Sequence, residues 1–180
     1  PADCVVDSNA VGTFAGFGVD VPVRLSPLCG TPADVSELPL CALMAAWVRG
    51  QTRPEASVQV RVCRSDRDVE TALAQGRALR AEIDQVPHPI GVLVVADGAN
   101  TLTPAAPGGY QPDDADAQLA LDEALATGDV AALTRLPEQI LGRVAFQVLA
   151  GLTEPGPRSV KELYRAAPYG VGYFAGAWQP

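Results

Sequence analysis

Seven consecutive apolar residues, Ile90-Gly91-Val92-Leu93-Val94-Val95-Ala96, stand between Pro89 and Asp97. A run of this length without a polar position has no solvent face, so it reads as a strand covered on both sides, as in the centre of an α/β sheet. Pro87 and Pro89 stop whatever precedes it. The segment that follows, Asp97 to Pro112, holds Gly, Pro, Thr and Asn and reads as a long loop at the carboxyl end of that strand.

The flanking patterns supply helices and further strands. Val21 to Leu25 alternates and ends at Ser26-Pro27, a strand stopped by proline. Leu28 to Val35 is a loop. Ser36 caps a helix with Pro39 in its first turn, in which Leu40, Leu43, Met44, Trp47 and Val48 recur at helical spacing until Gly50. Val58, Val60 and Val62 share one face of a half-buried strand. A long helix is predicted over Arg67 to Gln85, with Val69, Ala72, Leu73, Leu79 and Ile83 on one face and Gly76 a mild penalty among them.

Beyond the loop, Asp113-Asp114 opens a helix through Leu125, its acidic residues favoured by the helix dipole. Gly128-Asp129 restarts a short helix, and Pro137 starts another that runs to Leu152. Lys161 to Trp178 reads as two strands turning near Ala167-Pro168. The order implies an α/β fold: one domain over residues 1–180, with a mixed or mostly parallel central sheet flanked by helices. The start at Pro1, running directly into Cys4-Val5-Val6, is how a chain looks when it enters mid-domain, so a preceding N-terminal segment is expected.

Composition narrows the partners. At 48% hydrophobic and 19% charged the chain is globular, and a net charge of −8 argues against nucleic acid or an anionic membrane surface. No apolar stretch reaches the roughly 18 residues of a membrane span. Cys4, Cys29, Cys41 and Cys63 form no C-x-x-C pair, and the expectation is reduced, mostly buried thiols in the cytoplasm.

Ligand sites of α/β sheets lie beyond the carboxyl ends of the strands. The loop there offers the Asp97 carboxylate, the Asn100 amide, the Thr101 and Thr103 hydroxyls and the Tyr110 phenol; an Asx-type turn leading into a helix is the bland alternative. Val94 to Pro104, followed by Gly108-Gly109-Tyr110, resembles the strand-to-loop region of the LigB-like family of class III extradiol ring-cleavage dioxygenases, closest to its actinobacterial-type branch. The tail Val160 to Tyr164 and Ala167 to Phe174 resembles that family's closing strands.

The resemblance implies an Fe(II) site built from two histidines and a glutamate, ring opening of catechols with O₂, and an acid/base histidine in the loop. Here that histidine falls at about Asn100, which cannot carry a proton at neutral pH. Glu162 is the position for the glutamate ligand, although a charged residue on the polar face of a strand reads the same way. His88 is the only histidine, placed at the amino end of the buried strand, so this chain as given is not expected to bind the iron.

The primary expectation is therefore a dioxygenase-like protein without the iron-binding and acid/base histidines, which binds a small molecule or runs another reaction in the same cleft. Asp97, Asn100 and Thr101 are its candidate catalytic residues; Thr103, Tyr110 and Tyr169 are candidates for substrate binding, and Glu162 for metal. One alternative is an active Fe(II) dioxygenase whose ligands precede Pro1. The other is a non-catalytic partner in an assembly, which would show an exposed apolar patch of interface size. A small aromatic ligand and a homo-oligomer are the partners these readings admit.

Overall fold

The computed structural model describes residues 3–27 and 35–180. Cys29 and most of the loop expected over Leu28 to Val35 lie outside the described residues. The chain divides into two compact units, Pro1–Arg64 and Ser65–Pro180.

The first unit holds β1 (Cys4–Val6), β2 (Val11–Thr13), β3 (Pro22–Arg24), α1 (Leu40–Thr52) and β4 (Val60–Val62). β1 pairs antiparallel with β4, placing Cys4 opposite Val62, and β2 pairs antiparallel with β3, placing Val11 opposite Arg24. Pro39 has an extended ψ of 149° and caps α1, so the helix begins later than the Ser36 cap expected from sequence. One face of α1 brings Leu43 and Ala46 onto Val23 and Leu25. Arg49, in its last turn, donates to the carbonyls of Ala56, Arg24 and Pro54 and ties the following loop to the helix.

The second unit holds α2 (Val69–Asp84), α3 (Asp114–Thr127), α4 (Val130–Leu133), α5 (Arg143–Thr153), β5 (Ser159–Ala166) and β6 (Tyr173–Gln179). Asp68 caps α2 by accepting from the Thr71 amide at 2.9 Å, and this bond holds its carboxyl below the usual range. Asp129 caps α4 in the same way through Ala132. The core gathers Leu73, Leu121, Leu125, Leu133, Ile140, Phe146 and Ala150.

The helices α2 and α5 meet backbone to backbone. A Cβ on Gly76 would stand against Val148 O and 2.6 Å from Leu152 N, and one on Gly151 would meet the backbone of Leu73. Gly76 is thus the contact point of the helix pair, and its propensity cost is the lesser term. Arg77 closes the same junction with two bonds to Glu154, at 2.7 and 2.8 Å.

The structure overturns the expected α/β architecture. Among the described residues the strands form three two-stranded antiparallel sheets, and there is no central parallel sheet flanked by helices. The run Ile90–Ala96 is no strand: its backbone takes part in no hydrogen bond among the described residues. Apolar sequence demands burial but names no pairing partner, and here the other strands pair antiparallel among themselves. The expected helix from Pro137 begins only at Arg143, after turns. Of the thiols expected to be mostly buried, Cys4 is exposed and Cys41 and Cys63 are half-buried.

The turn between β5 and β6 carries a strained residue. Tyr169 (φ 62°) and Gly170 (φ 72°) are both left-handed, and Val171 N donates to Pro168 O at 3.3 Å, the geometry of a type I′ turn. Asn suits the first of these positions far better than Tyr.

Two stability outcomes follow. Gly76→Ala lowers stability by about 2–3 kcal/mol through the backbone clash, although helix propensity alone favours Ala by about 1 kcal/mol. Tyr169→Asn raises it by about 1 kcal/mol. Urea denaturation followed by circular dichroism reads both, and a stabilised Gly76→Ala would mean that the helices do not meet at this glycine.

Candidate functional site

The second unit encloses a groove of about 710 Å³. Ile83 of α2, Leu121 and Leu125 of α3 and Phe146 and Leu149 of α5 line it, with Phe174 and Trp178 of β6. The apolar run supplies a further wall with Ile90, Gly91, Val92, Leu93, Val94 and Ala96. Ile90, Val92, Leu93 and Val95 remain 45%, 45%, 55% and 37% exposed, so the run expected in the centre of a sheet borders an open groove instead.

The carboxyl end of the run is fixed. Gly142 N donates to Asp97 O at 2.7 Å, and a Cβ on Gly142 would meet Ala96 Cβ at 2.7 Å, so only glycine lets the chain pass this close to the start of α5. The next residues are held by Gln118, which is buried. Its Oε1 accepts from Ala99 N at 2.8 Å and its Nε2 donates to Asp122 Oδ1 at 2.8 Å. Gly98 and Gly172 flank this amide, and a side chain on either would collide with it. Gly172 N donates to Ala99 O, which joins the start of β6 to the same point.

β5 and β6 are anchored on α3 at two places. Arg165 pairs with Glu123 at 2.5 Å and Glu162 at 2.7 Å, reaches Asp122 O at 3.4 Å, and lies 6.0 Å from the centre of the Phe174 ring. The two carboxylates raise the guanidinium pKa further. Trp178 Nε1 donates to Leu125 O at 2.8 Å. Burial pushes the Asp122 carboxyl above its usual range, opposed by the Gln118 bond and by Arg165.

The candidate residues named from sequence lie around this groove rather than on it; the loop contributes only Gly98 to the wall. Asp97 is exposed. Asn100 is half-buried, with its carbonyl accepting from Gly108 N. Thr101 Oγ1 donates to Asp114 Oδ2 at 2.6 Å, and Thr103 packs against Gly170. Tyr110 and Tyr169 point to solvent, Tyr169 at 83% exposure. Glu162 is committed to Arg165, and His88 is exposed in the bend after α2.

Among the described residues no three His, Cys, Asp or Glu side chains converge as metal ligands. The residues around Glu162 therefore do not fit the iron implied by the resemblance. Sequence reading missed Gln118, Asp122 and Arg165. The signal was a polar pair, Gln118 and Asp122, inside the stripe Gln118, Leu121, Asp122, Leu125 at helical spacing. No family model, curated protein or solved structure matches the chain. No helix among the described residues is long and apolar enough to cross a membrane.

The buried Asp122 gives a pH signature. A carboxyl raised in the folded state contributes most below the ordinary carboxylate range, and that contribution is lost as pH rises through the raised value. Asp122→Asn keeps an acceptor for Gln118 and removes the titration. Its melting temperature gains on that of the wild type as pH goes from about 3 to about 7. Parallel melting curves across that range would show that Asp122 titrates alike in the folded and unfolded chain.

Proposed function

We propose that the second unit is a non-catalytic binding module whose groove takes up an extended apolar polypeptide strand, so that the chain serves as a partner in an assembly. One observation carries this reading. The backbone of Ile90–Ala96 has no hydrogen-bond partner among the described residues, and it borders the groove together with β6, which has β5 on one edge and no described strand on the other. A polypeptide is the ligand that offers alternating donors and acceptors along such a wall while filling the groove with apolar side chains. The exposed hydrophobics of the run are the interface-type patch that an assembly partner calls for.

The rings of Phe146, Phe174 and Trp178 support a second reading, a small aromatic ligand, and the volume suits one. The side-chain polar groups on the wall are largely committed: Gln118 at both ends, Trp178 to Leu125, Thr153 to Leu149, and Arg80 to Asp84. On this reading the ligand is a neutral ring in place of the catechol that the resemblance implies. In either case the reduced thiols of Cys4, Cys41 and Cys63 suit a reducing cytoplasm, and the net charge of −8 argues against nucleic acid as partner.

A fluorescently labelled, lysine-flanked apolar hexapeptide tests the proposal by anisotropy. It binds in the micromolar range, and the same peptide with two alternate residues replaced by proline binds at least about tenfold more weakly, because proline cannot donate to the wall. Equal binding of the two peptides overturns strand uptake. Absence of peptide binding, with naphthalene quenching Trp178 in a Trp47→Phe background, moves the assignment to the small ring.

A further inference from the structure

We infer that the strand taken up by this groove is Ile90–Ala96 of a second copy of the chain, paired antiparallel across a two-fold axis at Leu93. The inference rests on the strand-uptake reading and names its occupant. Three observations support it.

The first is self-complementarity. A two-fold interface pairs residue i with j and j with i. About Leu93 this sets Ile90 opposite Ala96, Gly91 opposite Val95 and Val92 opposite Val94, all apolar pairs. Asp97 falls opposite Pro89 of the second copy, so the two carboxylates stand at opposite ends of the seam, beyond the last pair.

The second is charge. Two copies at −8 each repel wherever their acidic surfaces meet. Neither the run nor the β6 wall contributes to that repulsion: residues 85–96 contain no Asp, Glu, Lys or Arg, and neither do residues 166–180. A charged partner would find no counter-charge on either wall, whereas a copy of the run brings none.

The third is exposure. Ile90, Val92, Leu93 and Val95 leave apolar area in water, and each gains an apolar cross-strand neighbour when the two runs pair. A seam of one strand per copy is smaller than the roughly 1,200–2,000 Å² of a stable interface, so the dimer dissociates in the micromolar range.

Sedimentation equilibrium of the whole chain across the micromolar range tests this. The wild type shows a reversible monomer–dimer equilibrium. Leu93→Lys places two ammonium groups face to face on the axis, and Leu93→Glu two carboxylates. Each variant alone weakens dimerisation at least about tenfold, while their equimolar mixture restores it. Unchanged circular dichroism of the variants keeps the comparison free of unfolding.

A wild-type chain that stays monomeric while the hexapeptide still binds overturns the second copy and leaves strand uptake standing. A monomer that also binds no peptide overturns both. A dimer that survives both single substitutions lies on another surface and overturns the inference.

Discussion

The second unit depends on the approach of α2 to α5 at Gly76 and Gly151. Both helices dispense with a side chain where they touch, so backbone meets backbone and the apolar stripes to either side close on each other. Leu73 of α2 and Phe146 and Ala150 of α5 then join one core with Leu121 and Leu125 of α3. Dispersion between such closely matched surfaces is small per atom and large in sum, and it is lost abruptly when a methyl group forces the helices apart. Arg77 and Glu154 fix the register of the pair, but both are partly exposed, and an ion pair of that kind contributes little beside the packing.

From that platform the groove is assembled by polar clamps. Gln118 satisfies Ala99 N with one end and Asp122 with the other, which fixes the chain after the apolar run against α3. Arg165 and Trp178 hold β5 and β6 on the same helix. Buried polar groups are tolerable only when paired, so each clamp fixes geometry more sharply than apolar contact would. The glycines at 98 and 172 are the steric counterpart: they make room for the Gln118 amide.

Much of this was legible from residue order. The stripe of α2, the acidic start of α3, the restart at α4 and the two strands of the tail followed from periodicity and capping residues, because those signals act within a few residues. The apolar run misled for a physical reason. Seven apolar residues report that water is disfavoured on both faces but carry no information about which backbone will pair with them. The groove was hidden similarly. Its polar residues are tied across long separations, Ala99 to Gln118 and Arg165 to Glu123, and no local spacing encodes such a pair. The loop residues from Asp97 to Tyr110 drew notice because they are polar and clustered, and the structure spends Thr101 on holding Asp114.

The run is left open without the devices that blunt a strand edge. Strand edges attract unwanted partners, and proteins blunt them with proline or charge. β3 carries Pro22 and Arg24, β4 carries Arg61, and β5 carries Lys161, Glu162 and Arg165. β1, β2, β6 and the run carry neither, and of these β6 and the run are the walls that face the groove. Pro89 and Asp97 mark the two ends of the run without interrupting it, which limits any pairing to the seven residues between. In a chain this acidic, a single charge within the run would have been enough to discourage a second copy. Its absence leaves the backbone of all seven residues able to pair.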